Sequence, residues 1–339
     1  MIEKIPTVIF EATQRCNLDC NYCYNVWKMD GVEPVAELST WRTIRMLGKV
    51  VKQTGCRQVT FSGGEPLLRE DLVELAAFLK LKGVKTSVLT NGELLDRQYV
   101  RDLHKVGVNL FQVTLLGLDE SIHDSHCGKG SQRHALRAVE DIRAEGVHLS
   151  ITFILTGRNL SQIEPVMRYV KSIKGRSCMF NRFNPGGEGL RHMDELMVTL
   201  EQFRSALETA SRLARKLKVR PFFAVPVTPC LAGRKDYPGL VFADCIAGTD
   251  KSYFTVDPQG NMRLCNHSPV ILGNIRKHKF KAIANCEAVA KFRGAMPDFC
   301  RDCEHWKKCM GGCRAASEQL YRSCACLDPF VARLLGRNP

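Results

Sequence analysis

The sequence predicts an α/β chain in which a parallel sheet with outer helices is followed by a small cysteine-rich region. Short apolar, β-branched runs alternate with helical patterns up to about residue 220. Past Pro221 to Pro229 the chain changes character, becoming rich in Cys and Gly with short elements. The chain also has sixteen cysteines, more than a soluble protein of 339 residues needs for packing.

The alternation can be followed in order. Thr7 to Thr13 reads as the first strand. Thr40 to Lys52 reads as a helix with Ser39 as its cap. Gln58 to Phe61 is a strand, and Asp71 to Leu81 a helix ended by Gly83. Lys85 to Leu89, a strand, leads through Thr90-Asn91-Gly92 to a helix over Asp96 to Lys105. Leu110 to Leu116 and His148 to Leu155 are strands flanking a helix over Gln132 to Glu145. Leu160 to Lys174 is a helix, Ser177 to Phe183 a strand, and Thr199 to Lys218 a long helix. Six strand–helix units in succession imply a parallel sheet with helices outside. Eight would close a barrel. The expected division is residues 1–220 and 221–339, a size suited to one large domain and one small one.

Hydrophobic content of 45% and charged content of 25% are those of a globular protein. No segment approaches the ~20 apolar residues of a membrane span. Met1-Ile2-Glu3-Lys4-Ile5-Pro6 carries no signal-peptide pattern, so a cytoplasmic location is expected. Disulfides fit such a chain poorly, and metal or cluster ligation in a reducing compartment accounts better for the cysteines. The net charge of +14 invites a nucleic-acid reading. The basic residues are scattered, however, and the run Arg212 to Lys218 reads as a solvated helix face.

Chemistry enters at Cys16-x3-Cys20-x2-Cys23, directly after the first strand. Three thiolates on one loop are a ligand short of a closed tetrahedral site. They describe either a zinc site with a remote fourth ligand or an iron–sulfur cluster with one open iron. Ser62-Gly63-Gly64-Glu65-Pro66 follows the second strand; its glycines allow close backbone approach and Pro66 stiffens the exit. The Cys loop, this turn and Thr90-Asn91-Gly92 all follow strands, so they share the face where such sheets bind ligands.

With Tyr22 before the last Cys, the two motifs together resemble the radical SAM superfamily. The resemblance implies a partial (β/α)6 TIM-like barrel. It implies a [4Fe-4S] cluster on Cys16, Cys20 and Cys23 whose open iron chelates S-adenosylmethionine. Gly63, Gly64, Glu65 and Pro66 would meet the methionine amino group, and Asn91 the adenosyl part. Arg182, at the end of the sixth strand with Asn181 and Asn184, is a candidate to grip a carboxylate of cofactor or substrate. After the fourth strand the family often shows polar residues, but Leu115 and Leu116 stand there, and His123 reads as a cap or core residue.

Cys300-x2-Cys303-x5-Cys309-x3-Cys313, with Cys245 and Gly260-x4-Cys265 upstream, resembles the SPASM domain. That resemblance implies two auxiliary [4Fe-4S] clusters. The first would use Cys245, Cys265 and Cys313, with Cys230 as a candidate fourth ligand or an iron open to substrate. The second would use Cys300, Cys303, Cys309 and a late cysteine, Cys326, with Cys324 as alternative. Cys56, Cys127, Cys178 and Cys286 read as core thiols. Sulfatase-maturing relatives carry an Asp base after the hairpin Cys. Here Asn266 occupies that place, leaving His267 as the candidate base or as support for the ligand beside it.

The reading is therefore a radical SAM/SPASM enzyme. By resemblance, it cleaves S-adenosylmethionine reductively to a 5′-deoxyadenosyl radical that abstracts hydrogen from substrate, and the expected reaction is oxidative modification of a ribosomally made peptide or protein, such as a crosslink. The partners implied are an electron donor such as flavodoxin or ferredoxin and a separate leader-peptide-binding protein. One alternative is a small anionic metabolite such as a tetrapyrrole side chain, favoured by the charge and Arg182. A remote one is a zinc-stabilised nucleic-acid-binding protein, against which the scattered charge and the lack of an aromatic–basic stripe count.

Overall fold

A computed structural model describes residues 1–337. Its framework is one eleven-stranded sheet in the order β11-β10-β9-β1-β2-β3-β4-β5-β6-β7-β8. Strands β1 (Thr7–Thr13), β2 (Gln58–Gly63), β3 (Lys85–Thr90), β4 (Val108–Thr114), β5 (His148–Leu155) and β6 (Ser177–Arg182) are parallel neighbours in chain order. The crossovers carry helices α1 (Thr40–Thr54), α2 (Leu72–Leu81), α3 (Arg97–Lys105), α4 (Glu120–Cys127), α5 (Ser131–Ala144) and α6 (Ile163–Ser172). After β6 come a short α7 (Met193–Leu196) and the long α8 (Leu200–Leu217). The predicted α/β fold with a parallel sheet is the observed one.

Local chemistry explains the elements. Val8, Phe10 and Ala12 alternate along β1 into the helix-covered core, while Glu11 and Thr13 are also buried, on the other face. Helix α1 buries Thr43, Met46, Leu47 and Val50 and stops at Gly55, which takes the left-handed conformation at φ 64°. Ser39 occupies the cap position of α1, but its side chain makes no cap bond; its carbonyl accepts from Thr43 N–H at 2.9 Å. Thr199 and Gln202 form a reciprocal capping box at α8, which turns Arg212, Arg215, Lys216 and Lys218 to solvent as the pattern predicted.

Two short strands extend the sheet past residue 220. β7 (Arg220–Phe223) pairs with β6, and β8 (Val241–Phe242) pairs with β7, both parallel. At the other edge β9 (Tyr253–Val256) lies parallel to β1, with Thr7 opposite Tyr253. The hairpin partner β10 (Asn261–Arg263) and then β11 (Ile271–Asn274) follow antiparallel. The sheet is therefore continuous across the expected boundary at residue 220, and one hydrophobic core runs from Ile2 to Ala332. Short helices α9 (Phe280–Ala284), α10 (Glu287–Gly294), α11 (Trp306–Cys309), α12 (Arg314–Tyr321) and α13 (Pro329–Leu335) complete the cysteine-rich part.

Two buried ion pairs fasten that part to the sheet. Glu11 of β1 meets Arg263 of β10, and Arg182 of β6 meets Asp328. Both Arg182 and Asp328 side chains are wholly inaccessible. Asp328 also accepts from Cys313 N–H at 2.6 Å and caps α13 through Phe330 N–H at 2.9 Å. Removing one partner of a buried pair leaves an uncompensated charge, so Asp328→Ala is expected to cost about 3–5 kcal/mol in chemical denaturation. Lys281→Ala, which breaks an exposed pair with Glu3, is expected to leave the midpoint where it is. An unchanged midpoint for Asp328→Ala would remove the pair from this structural role.

Candidate functional site

At the carboxyl ends of the parallel strands lies a cavity of about 470 Å³. Its walls bring together residues far apart in sequence: Cys16, Cys20 and Cys23 on one side, Cys245, Cys265 and Cys313 on another. Gly63, Gly64, Glu65, Asn91, Arg182 and His267 also line it; Pro66 does not.

The cysteine loop follows β1 and is tied down from several directions. Cys23 N–H bonds to Cys20 O at 3.1 Å, Asn21 N–H to His126 O at 3.0 Å, and Gly189 N–H to Cys23 O at 3.0 Å. The glycine turn meets this loop through backbone: Gly64 N–H donates to Thr13 O and Glu65 N–H to Arg15 O, each at 2.9 Å. A Cβ on Gly63 would stand 2.0 Å from Thr13 O, and one on Gly64 2.0 Å from Arg15 O. The glycines thus serve first to seat the turn against the cysteine loop, a reason the sequence did not disclose.

Glu65 is buried, 1% exposed, at the end of β2. Its carboxylate accepts from Leu67 N–H at 3.1 Å, Thr90 Oγ1 at 2.9 Å and Asn91 N–H at 2.8 Å. Burial pushes its acidity up to about 7, against the pull of those hydrogen bonds. Asn91 accepts from Glu93 N–H and donates to Asn17 Oδ1 at 3.0 Å, so it braces the cysteine loop from β3.

As free thiols the cysteines are held protonated. Burial pushes Cys16 up to about 11 and Cys23 up to about 12. Cys20 is raised by its contact with Cys127 and by burial. Cys127, expected as a core thiol, instead lines the cavity beside Cys20 and within 3.5 Å of Tyr22 Oη. Cys56 and Cys178 are buried as expected. Among the described residues, no three His, Cys, Asp or Glu side chains converge on a single metal ion. The thiols gather in looser groups around shared space.

Two such groups occupy the C-terminal part. Cys265 is raised by burial and by the charges of Cys313 and Cys245, which marks those three as neighbours. Cys300, Cys303 and Cys309 form the other group, and the charge of Cys230 helps raise Cys300 and Cys309.

Arg182 is not free to grip a ligand. It is wholly buried, and besides Asp328 it donates to Pro226 O at 2.9 Å and Phe183 O at 3.1 Å, with its guanidinium 4.5 Å from the Phe330 ring centroid. The carboxylate-binding role expected for it is thereby corrected, and with it goes the one residue that favoured a small anionic substrate. His267 is also buried; burial and the charges of Arg182 and Arg263 hold its imidazole neutral, with an acidity down to about 3, which makes it a poor proton acceptor. Its Nδ1 accepts from Asn184 at 2.6 Å and its ring stacks on Tyr24 at 3.8 Å. Asn266 donates to Tyr24 Oη at 2.5 Å. The segment after Cys23 and the segment after Cys265 are therefore locked face to face, a contact no sequence pattern announced. His123 accepts from Leu116 N–H at 3.2 Å inside the core.

The donor set fits thiolate-held clusters and a polar ligand. Each group offers soft sulfur donors on tightly wound turns. Trp27, Asn266 and Arg314 line the cavity, and among the described residues Trp27 Nε1, Asn266 Oδ1 and Arg314 Nε are buried without hydrogen-bond partners. Such atoms cost about 1–3 kcal/mol each until something satisfies them.

Residues 10–170 match the Radical SAM superfamily model, and residues 245–304 match SPASM, an iron–sulfur cluster-binding domain. The chain is 26% identical over 335 residues to the PqqA peptide cyclase of Gluconobacter oxydans, covering 96% of this chain and 90% of that one. It is 28% identical over 338 residues to the PqqA peptide cyclase of Bradyrhizobium diazoefficiens, covering 96% and 85%. In fold it resembles anSMEcpe with bound AdoMet, at a TM-score of 0.73 and 19% identity over 98% of this chain and 91% of that one. It likewise resembles Streptococcus suis SuiB bound to S-adenosylmethionine, at a TM-score of 0.75 and 17% identity over 97% and 78%. With both domains matched in order and the two cysteine regions facing one cavity, the chain belongs to the radical SAM superfamily and carries a C-terminal SPASM iron–sulfur domain.

Proposed function

We propose that this chain oxidatively modifies a ribosomally made peptide. The observation that carries the reading is the shared cavity, which sets a substrate between the N-terminal thiols and the Cys245, Cys265 and Cys313 thiols. Full-length similarity to PqqA peptide cyclases supports the substrate class. The bound cofactors would supply one-electron reduction of S-adenosylmethionine and a carbon radical that removes hydrogen from the substrate.

The chain's own residues do the rest. Cys16, Cys20 and Cys23 would hold the first cluster, and the glycine turn fixes their loop. Glu65, already aligned by three hydrogen bonds, offers its carboxylate to the methionine ammonium. Asn184 touches both His267 and Cys313 (Sγ at 3.4 Å), so it orients the wall that faces the substrate. An electron donor of the flavodoxin or ferredoxin kind and a separate leader-binding protein complete the proposed system, in the cytoplasm. Among the described residues no helix is long and apolar enough to cross a membrane.

Cys16/Cys20/Cys23→Ala is expected to lower iron from about twelve to about eight per chain, three four-iron clusters becoming two. Iron and sulfide analysis after anaerobic reconstitution reads this, and about three zincs with no iron would sink the cluster chemistry. Glu65→Gln is expected to weaken S-adenosylmethionine binding roughly tenfold or more, as loss of a charge-assisted bond does. Because the ammonium needs the carboxylate and burial sets its acidity at about 7, wild-type affinity should fall as pH drops below that value, while the Gln variant stays flat. Titration calorimetry across pH checks both. Co-expression with a candidate precursor peptide, followed by mass spectrometry, should reveal loss of a hydrogen pair. Turnover of a small acidic metabolite with every tested peptide untouched would count against the peptide reading.

A further inference from the structure

The stacked rings of Tyr24 and His267 join the two cysteine regions on the cavity side. Behind them lies one buried amide. We infer that Gln319 of α12 is a positioning residue for the reaction: it holds the segment after Cys23 and the segment after Cys265 at a set separation, so that hydrogen removal from the substrate stays coupled to cofactor cleavage.

Gln319 is 1% exposed and takes no part in the cavity wall that Tyr24 and His267 line. Both its amide hydrogens and its oxygen are used. Nε2 donates to His267 O at 2.7 Å and to Tyr24 O at 3.2 Å, and Oε1 accepts from Gly187 N–H at 2.8 Å. These partners come from three segments. Tyr24 follows Cys23, His267 lies two residues past Cys265, and Gly187 sits in the turn after β6. All three are backbone groups, two acceptors and one donor, which fixes the orientation of the amide. No other side chain of this length offers two donors and an acceptor.

The three segments are packed too closely to adjust by small shifts. Gly187, at φ 50°, has no room for a side chain: a Cβ would stand 2.5 Å from Asn25 O and 2.7 Å from Cys23 O. A Cβ on Gly186 would stand 2.9 Å from both polar atoms of the Gln319 amide. Gly189 N–H holds Cys23 O, Gln319 holds Tyr24 O, and Asn25 Nδ2 donates to Gly63 O at 3.0 Å, so the run from Cys23 to Asn25 is pinned residue by residue. Helix α12 is anchored in turn. Ser317 Oγ donates to Leu327 O at 3.1 Å, and Glu318 accepts from Ser268 Oγ at 3.0 Å. One helix therefore has Cys313 at its cap position and, near its other end, the side chain that holds the N-terminal loop.

Because Gln319 stands behind the wall, its effect on the reaction runs through distance. Cleavage of S-adenosylmethionine needs the N-terminal wall alone. Hydrogen removal needs the two walls at their set separation, and a displacement of ~1 Å costs such a step on the order of a hundredfold.

The coupling role of Gln319 rests on the radical chemistry proposed above and on no particular peptide. Gln319→Met keeps the length of the side chain and removes all three bonds. Gln319→Glu keeps the acceptor and has at most one hydrogen to give. After anaerobic reconstitution both are expected to hold wild-type iron and to cleave S-adenosylmethionine at the wild-type rate. The 5′-deoxyadenosine released per modified peptide is expected to rise roughly tenfold or more in Gln319→Met, with Gln319→Glu between it and wild type. Lost stability alone lowers both products together and leaves that ratio unchanged. Hydrogen–deuterium exchange of the reconstituted chains without substrate adds a readout free of turnover. Residues 20–28, 184–190 and 264–269 should exchange faster in Gln319→Met, while β2 to β5 keep their wild-type rates. In the wild type, which needs no variant to fold, the Gly187 amide should exchange as slowly as those of β6. An unchanged ratio in Gln319→Met, exchange that is unchanged in the three segments or raised throughout the chain, or fast exchange at Gly187 in the wild type would each overturn the assignment. A wild type that cleaves S-adenosylmethionine but modifies no peptide would overturn the substrate reading instead, and the exchange comparison would then decide for or against Gln319 by itself.

Discussion

The buried pair between Arg182 and Asp328 is the contact on which the arrangement of thiols depends. A buried ion pair is a poor source of net stability, because desolvating both charges offsets most of their attraction. Its value here is positional. One guanidinium reaches the end of β6 and the loop carrying Cys230, and its partner carboxylate accepts from Cys313 N–H and starts α13. Few single side chains other than Arg supply enough fixed donors to do this. The ring of Phe330 covers the guanidinium and excludes the water that would otherwise compete.

A second constraint runs between backbones. The cysteine loop and the glycine turn approach so closely that side chains at residues 63 and 64 would overlap carbonyl oxygens. The loop is thus placed by the sheet, because β1 and β2 are paired in register as far as Glu11 and Ser62 and, past a bulge, bring Thr13 opposite Gly63 where the two segments meet. The opposite wall is placed by β9, which pairs with β1 from the other side and leads through its hairpin to Cys265. Strand β1 therefore serves as a common ruler for both cysteine regions. The Tyr24–His267 stack then fixes the remaining freedom between them.

What could be read from the sequence follows the range of the interactions. Except for α4 and the short α7, the strands and helices up to α8 were legible because each buries a periodic face and ends at a cap or a glycine. The N-terminal cysteines were legible because all three sit within eight residues, so their chemistry is local. Helix α4 was missed; its start is set by the Asp119 cap, but it buries His123 and His126 in place of an apolar stripe. Strands β7 to β11 were missed because they are two to four residues long and depend on a partner strand for their identity. Arg182 was read as a free cation since nothing nearby in sequence reveals Asp328, 146 residues on.

The same burial that places the thiols makes the metal-free state costly to ligate. Cys300 is pushed up to about 11, and Cys309 and Cys313 up to about 12, by burial first and then by neighbouring negative charge, which for Cys313 comes from Asp328 and Cys245. Thiolates in such surroundings persist only when cations balance them, so cluster loading must expel protons and the loaded state draws its stability from the metal. Buried Arg314 lies beside Cys245, stacked 4.4 Å from the Phe292 ring centroid, and its charge favours the thiolate there. The first auxiliary group therefore carries a protein cation of its own next to the cavity. Cys230 and Cys303, by contrast, stand exposed. That asymmetry leaves Cys245, Cys265 and Cys313 as the thiols lining the cavity, with Arg182 and Asp328 held between the Cys230 loop and Cys313.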